Sequence, residues 1–170
     1  MDFRQRLKTS VHIVTAGIAL LAIAVIAPAD NPPGVHVWKL ADIESQGKIL
    51  SGKIDEHKVA SETVAVEGNT TFMIAHREGT GQAEWHDNQA DVIVISQGEA
   101  TMTLGGTIVD GKQTQPGEIR GASIQGGMQV KLGPGDVEYI PPKTPHMMTL
   151  EPGKQVTYFV TKVLKLGPEH

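Results

Sequence analysis

The sequence predicts an all-β fold, a single antiparallel barrel or sandwich preceded by one short helix. Three observations carry this. Short runs rich in β-forming residues recur from Thr70 onward, each bounded by Gly, Pro, Asn or Asp turn signals. Glycine (19) and proline (10) are plentiful in the 170 residues, which suits a turn-rich chain. Only one segment, 37–50, has a helical pattern, and a chain of this length suits one domain with a substantial core.

The chain opens on Arg4, Arg6 and Lys8, followed by an apolar run from Val11 to Ala27 and the small-x-small site Ala27-Pro28-Ala29. A basic start, an apolar middle and a cleavage site together read as a secretory signal peptide, residues 1–29. The run of 17 residues is short for a membrane span of about 20. The mature protein is therefore expected to begin near Asp30, to keep no membrane anchor after cleavage, and to work in a periplasm or outside the cell. An N-terminal extension is expected over 30–68, containing the amphipathic helix with Val37, Leu40, Ala41 and Ile43 on one side and Gly47 ending or weakening it. The barrel is expected over 69–163, with 164–170 as a polar tail.

Within the barrel, Thr70 to His76 reads as a strand, and Gly79-Thr80-Gly81 turns the chain into a second one carrying Glu84 and His86. Asp91-Val92-Ile93-Val94-Ile95 is apolar on both faces after its leading aspartate, as expected inside a closed or two-layered sheet. Ser96-Gln97-Gly98-Glu99 reads as a hairpin turn into Ala100–Leu104. Residues Gly111 to Gly127 read as an insertion with a short strand at 118–124, either a lid or a surface hairpin. Strands follow at 128–132, 137–140, 146–150 and 156–163, separated by Gly133-Pro134-Gly135-Asp136, Pro141 to Pro145, and Pro152-Gly153.

Charge and composition exclude several functions. The full chain carries 15 basic and 19 acidic residues; without the first 29 it loses three basic and one acidic residue and falls from −4 to −6. Without basic clusters, this body has no electrostatic footprint for nucleic acid. There is no cysteine, which removes disulfides, thiolate nucleophiles and zinc-thiolate sites. The serines lack a nucleophile-elbow context, so no hydrolase triad is expected.

The chemistry concentrates in Glu84-Trp85-His86-Asp87-Asn88-Gln89-Ala90-Asp91 and in His146. Alternate residues of a strand share a face, so Glu84 and His86 point to one side. Asp91 heads an apolar strand, where a lone carboxylate is costly to bury unless paired or ligated. Glu84, His86, Asp91 and His146 are the candidate ligands of a metal, and the bland alternative is a metal-free polar pocket in which the carboxylates hydrogen-bond the imidazoles. His76 is either a donor that supports the ligands from behind or an edge residue. Tyr139 and Lys143 either line the mouth or lie on the surface of a proline-rich turn. Met148 shares the face of His146 and serves as core or pocket wall.

The order of these elements resembles the cupin superfamily, a small antiparallel jelly-roll barrel built around two motifs. The first, G-x5-H-x-H-x3,4-E-x6-G, is similar to Gly79–Gly98: His86 and Gly98 match, Glu84 replaces the first histidine, and Asp91 replaces the glutamate. The second, G-x5-P-x-G-x2-H-x3-N, is similar to 135–150: Gly135, Pro141 and His146 match, while Lys143 and Leu150 depart. The resemblance implies a cupin barrel holding a divalent ion, Fe, Mn or Zn, through Glu84, His86, Asp91 and His146. It implies a metal-dependent small-molecule enzyme, dioxygenase-like or isomerase-like, and by analogy a homodimer. The alternatives are a non-catalytic module that binds or senses a small ligand, and a structural dimer with a vestigial pocket.

Overall fold

The computed structural model describes residues 31–165; the expected signal peptide and the end of the tail lie outside them. Helix α1 (Leu40–Ser51) leads into thirteen strands: β1 (Val59–Glu67), β2 (Thr70–Arg77), β3 (Ala83–His86), β4 (Gln89–Gly98), β5 (Ala100–Leu104), β6 (Thr107–Val109), β7 (Lys112–Gln115), β8 (Glu118–Gly121), β9 (Ser123–Gln125), β10 (Met128–Leu132), β11 (Val137–Ile140), β12 (His146–Thr149) and β13 (Val156–Leu164). Among the described residues no helix is long and apolar enough to cross a membrane.

The strands form a five-stranded sheet in the order β1-β2-β13-β4-β11 and a six-stranded sheet in the order β10-β5-β12-β3-β8-β7, with β6 and β9 as a separate ribbon. Every pairing is antiparallel. The inner faces of the two sheets meet in one apolar core that includes Ile93, Ile95, Met102, Ile140, Met148 and Tyr158. Burying side chains of this size stabilises by about 1.5–3 kcal/mol each. This is the jelly-roll arrangement, and it is all-β apart from α1.

Three expectations change. The five-stranded sheet begins at Val59, inside the segment read as an N-terminal extension, because β1 pairs along its length with β2. Its pattern is mixed: Ser61, Glu62 and Thr63 interrupt the apolar alternation that would have marked a strand. The turn at 96–99 is not a hairpin, since β4 lies in one sheet and β5 in the other. Gly98 makes that crossing at φ +81°, and any Cβ there would run into the carbonyl oxygen of Gln155.

Gly47 does not end the helix. It is a buried residue of α1, which lies on the outer face of the five-stranded sheet with Ile43 and Leu50 against Ile74 and Phe159. A methyl group at 47 would come within 2.6 Å of both Thr157 Oγ1 and Cγ2. Glycine is therefore retained for close approach, although it costs about 1 kcal/mol of helix propensity. Gly47→Ala is expected to destabilise the protein by about 1–3 kcal/mol in chemical denaturation; a more stable variant would mean that the helix does not seat here.

One acidic side chain interrupts the core. Glu138 on β11 is the ladder partner of Ile93 on β4, so the two share the inner face. It is buried, its Oε2 has no hydrogen-bond partner, and desolvation pushes its pKa up to about 7.

Candidate metal centre

Three of the four candidate ligands stand on two ladder rows, and the fourth, His86, lies two residues along β3 from Glu84, opposite Glu118. In the six-stranded sheet, His146 on β12 is the direct partner of Glu84 on β3, and Glu84 is the partner of Arg120 on β8. In the five-stranded sheet, Asp91 on β4 partners Lys162 on β13 and Ile140 on β11. Directly opposed residues of antiparallel strands place their Cβ atoms about 4.5–5.5 Å apart. Two rows so placed bring carboxylate, imidazole and cationic side chains together without any special loop.

Glu84, His86 and His146 each offer a ligand atom, and these atoms all lie within 4.8 Å of one another. The imidazoles are tilted 52° with ring centroids 5.3 Å apart. His146 Nδ1 donates to the carbonyl of Thr144 at 3.0 Å, which leaves Nε2 as the lone-pair nitrogen facing inward. Burial pushes the pKa of His146 down, against the opposite pull of the Thr144 carbonyl and of Glu84 and Asp91, so the ring is held in the neutral form a metal needs. His86 Nε2 is buried and has no hydrogen-bond partner among the described residues.

Glu84 is held from both sides. Arg120 donates from Nη1 to Oε1 at 2.9 Å, while Oε2 lies 3.6 Å from His86 Nε2. Burial acts to raise its pKa, but His86, Arg120, Lys162 and His146 outweigh it and hold the carboxyl well below the usual carboxylate range. Arg120 also donates from Nε to Glu118 Oε1 at 2.7 Å, and Glu118 Oε2 lies 3.8 Å from His86 Nδ1. A chain Glu84–Arg120–Glu118 thus braces both ligands of β3.

Asp91 is 3% exposed, and its Oδ2 lies 3.6 Å from His86 Nε2 and 3.7 Å from His146 Nε2. It faces the inward nitrogens of both rings and therefore does not orient either histidine from behind. Lys162 Nζ donates to the same Oδ2 at 3.0 Å, and Gln89 Nε2 donates to Oδ1 at 3.0 Å. The carboxylate sits on the ligand side, already paired.

The other candidates divide. Met148 is buried and lines the chamber with Met73, Met102 and Val160. His76 lies on the opposite face of β2, where Nδ1 bonds Thr157 Oγ1 at 2.9 Å and Nε2 lies 3.3 Å from Glu78 Oε1; it belongs beneath α1 and not beside the chamber. Tyr139 is 61% exposed, because its neighbours Glu138 and Ile140 take the inner face of β11. Lys143 is exposed, at φ +66°, with Nζ 3.4 Å from Asp87 Oδ1; what it gives the site is its backbone N–H, which donates to the His86 carbonyl at 2.7 Å. The segment 111–127 is neither lid nor surface hairpin throughout, since β8 joins the six-stranded sheet beside β3.

The donor set fits a divalent cation: two imidazole nitrogens, one of them an orphan buried atom, converge with an ionised carboxylate.

No protein-family model matches the chain, and no curated protein matches it. Several solved structures do. A protein from Thermus thermophilus superposes with a TM-score of 0.49 and 15% identity over 66% of this chain and 90% of its own. A cupin superfamily protein from Desulfitobacterium hafniense does so at 0.46 and 15%, over 65% and 82%. Peruvianin-I, a cysteine peptidase from Thevetia peruviana latex, does so at 0.46 and 14%, over 65% of this chain and 64% of its own, so the chain spans less than two thirds of that relative. On its own strand order, with two antiparallel sheets facing each other over one apolar core, the chain has a jelly-roll fold.

Proposed function

We propose that this protein is a metal-dependent enzyme acting on a small molecule inside the barrel, with a divalent ion held by Glu84, His86 and His146 and with Asp91 at the edge of its coordination sphere. The observation that carries this reading is the unpartnered, buried Nε2 of His86 beside the inward Nε2 of His146 and Oε2 of Glu84. A bound ion satisfies that orphan nitrogen, which otherwise costs about 1–3 kcal/mol. Two imidazoles and one carboxylate suit Fe(II), Mn(II) or Zn(II). When bound, the ion supplies Lewis acidity or gathers dioxygen and a chelating substrate at one centre.

The chain's own residues set the conditions. Arg120 fixes Glu84, the Thr144 carbonyl fixes the tautomer of His146, and Lys162 with Gln89 holds Asp91 short of free ligation. The chamber, about 200 Å³, sets an apolar wall that includes Met73, Met102, Met148 and Val160 against the polar cluster of Glu84, Asp91 and His146.

Metal analysis of protein purified from its native compartment, combined with turnover and O2-consumption assays over a substrate panel, tests this. One equivalent of iron, manganese or zinc with turnover is expected; a metal-loaded protein inert across the panel would make it a binding or sensing module. Asp91→Asn is expected to lower metal affinity by about tenfold, read by competition with a chromogenic chelator, whereas loss on the scale of a histidine ligand would place Asp91 within the coordination sphere. We further infer export and cleavage after Ala29, checked by the mass of the mature chain, and a homodimer, checked by light scattering at working concentration.

A further inference from the structure

Arg77 ends β2 and shares its inner face with Met73 and Ala75, all three lining the same chamber as Glu84, Asp91 and His146. It is 7% exposed, its Nε makes no hydrogen bond, and among the described residues no carboxylate pairs with it. The two other cations of the chamber are neutralised, Arg120 by Glu84 and Glu118, Lys162 by Asp91. Arg77 alone is left with its charge.

Its guanidinium packs beside one backbone turn. It lies against the backbone of Gly81, where a Cβ would come within 2.7 Å of Nη1, and the Gly81 N–H is itself tied to the Met148 carbonyl at 2.9 Å. Arg77, Gln82 and Arg120 also line an outer vestibule with Asp55 and His57, so the guanidinium stands where the chamber meets its entrance. Asp55 is the acidic residue lining that vestibule, and its Oδ1 is taken by the N–H groups of His57 and Val59. Burying a cation without a partner is costly. The missing anion is most simply the ligand's, because a guanidinium fork binds a carboxylate bidentately and with charge assistance.

We propose that Arg77 anchors a carboxylate of the substrate, so that the chamber takes a small organic acid whose apolar body lies against Met73, Met102, Tyr158 and Val160. The proposal names the substrate class of the site described above, and its anchor does not require the metal.

The test is isothermal titration of the mature chain with benzoate and hexanoate, and with benzamide and hexanamide as uncharged counterparts, on both metal-loaded and chelator-treated protein. Each acid is expected to bind about tenfold or more tightly than its amide in both preparations. Arg77→Gln should abolish that discrimination with metal content unchanged, and Arg77→Lys should retain part of it. Gly81→Ala, which displaces the guanidinium and leaves the charge, should weaken acid binding alone; it and the lysine variant carry the test if the glutamine variant does not fold. Equal binding of acid and amide by the wild type, no binding of either acid by about 10 mM, tighter binding of inorganic phosphate than of both acids, or undiminished acid binding by Arg77→Gln would each overturn the proposal. Discrimination by a protein that binds no metal would uphold Arg77 and remove the metal reading. Discrimination seen only in the metal-loaded form and surviving Arg77→Gln would assign the acid to the ion and overturn the anchor.

Discussion

Replacing His146 with alanine is expected to lower metal affinity at least about a hundredfold, more than the 10- to 100-fold typical of losing a residue that only hydrogen-bonds a ligand. The same loss is expected for His86→Ala, because the two Nε2 atoms are the imidazole donors of the cluster and neither has another partner that points inward. A second readout separates ligation from folding. Metal at about 100 times its dissociation constant stabilises a protein that binds it only when folded by about 2.7 kcal/mol. The wild type should show that increment in chemical denaturation and the histidine variants should not, while their metal-free stabilities stay close to the metal-free wild type. Wild-type metal content in both variants would remove the ligand assignment.

The second large effect concerns Glu138. Desolvation raises its folded-state pKa from the ordinary carboxylate range to about 7. Between those two values the folded protein binds a proton that the unfolded chain has released, so stability falls as pH rises across this window and levels off above it. The span corresponds to roughly 2–3 kcal/mol at neutral pH. Glu138→Gln keeps the shape and removes the titration. The difference in unfolding free energy between variant and wild type should therefore grow in the variant's favour from pH 4.5 to pH 7. A difference that does not change with pH would mean that Glu138 titrates normally in the folded state. The sign is opposite to that of a salt-bridged carboxylate, whose contribution is lost on acidification.

Local patterns carried much of the fold into view. The aspartate heading an apolar strand, the alternation of Glu84 with His86, and the proline bend before His146 all concern neighbours in sequence, and Asp91, Glu84 and His146 all line the chamber. Face assignment within β2 did not follow, because both faces of that strand are covered. Met73 and Ala75 face the barrel while Phe72 and Ile74 face α1 and the aromatic residues beside it, so no polar face marks the outside. His76 and Arg77 are adjacent, and a shift of one residue decides which enters the chamber. Sequence made the histidine a candidate; the arginine is there.

Arg120 and Lys162 escaped notice for a different reason. Each reaches the site through ladder register with a strand far away in sequence, Arg120 opposite Glu84 and Lys162 opposite Asp91. Register of that kind is set by the whole sheet and leaves no local signature. A partial clue was present for Arg120, since Glu118-Ile119-Arg120 alternates polar and apolar residues inside a segment read mainly as an insertion.

The position of β13 governs how the molecule can come together. It is the last strand among the described residues, yet it lies inside the five-stranded sheet, between β2 and β4, and pairs with both. Until Val156–Leu164 is docked, the β1–β2 pair and the β4–β11 pair have no common sheet. Contacts so distant in sequence carry the loop-closure cost that makes β-rich topologies fold slowly, on the scale of milliseconds to seconds. A chain emerging from its N-terminus thus carries unjoined strand edges until Val156–Leu164 is available, and Asp91 meets its ladder partner Lys162 only in that same closing step.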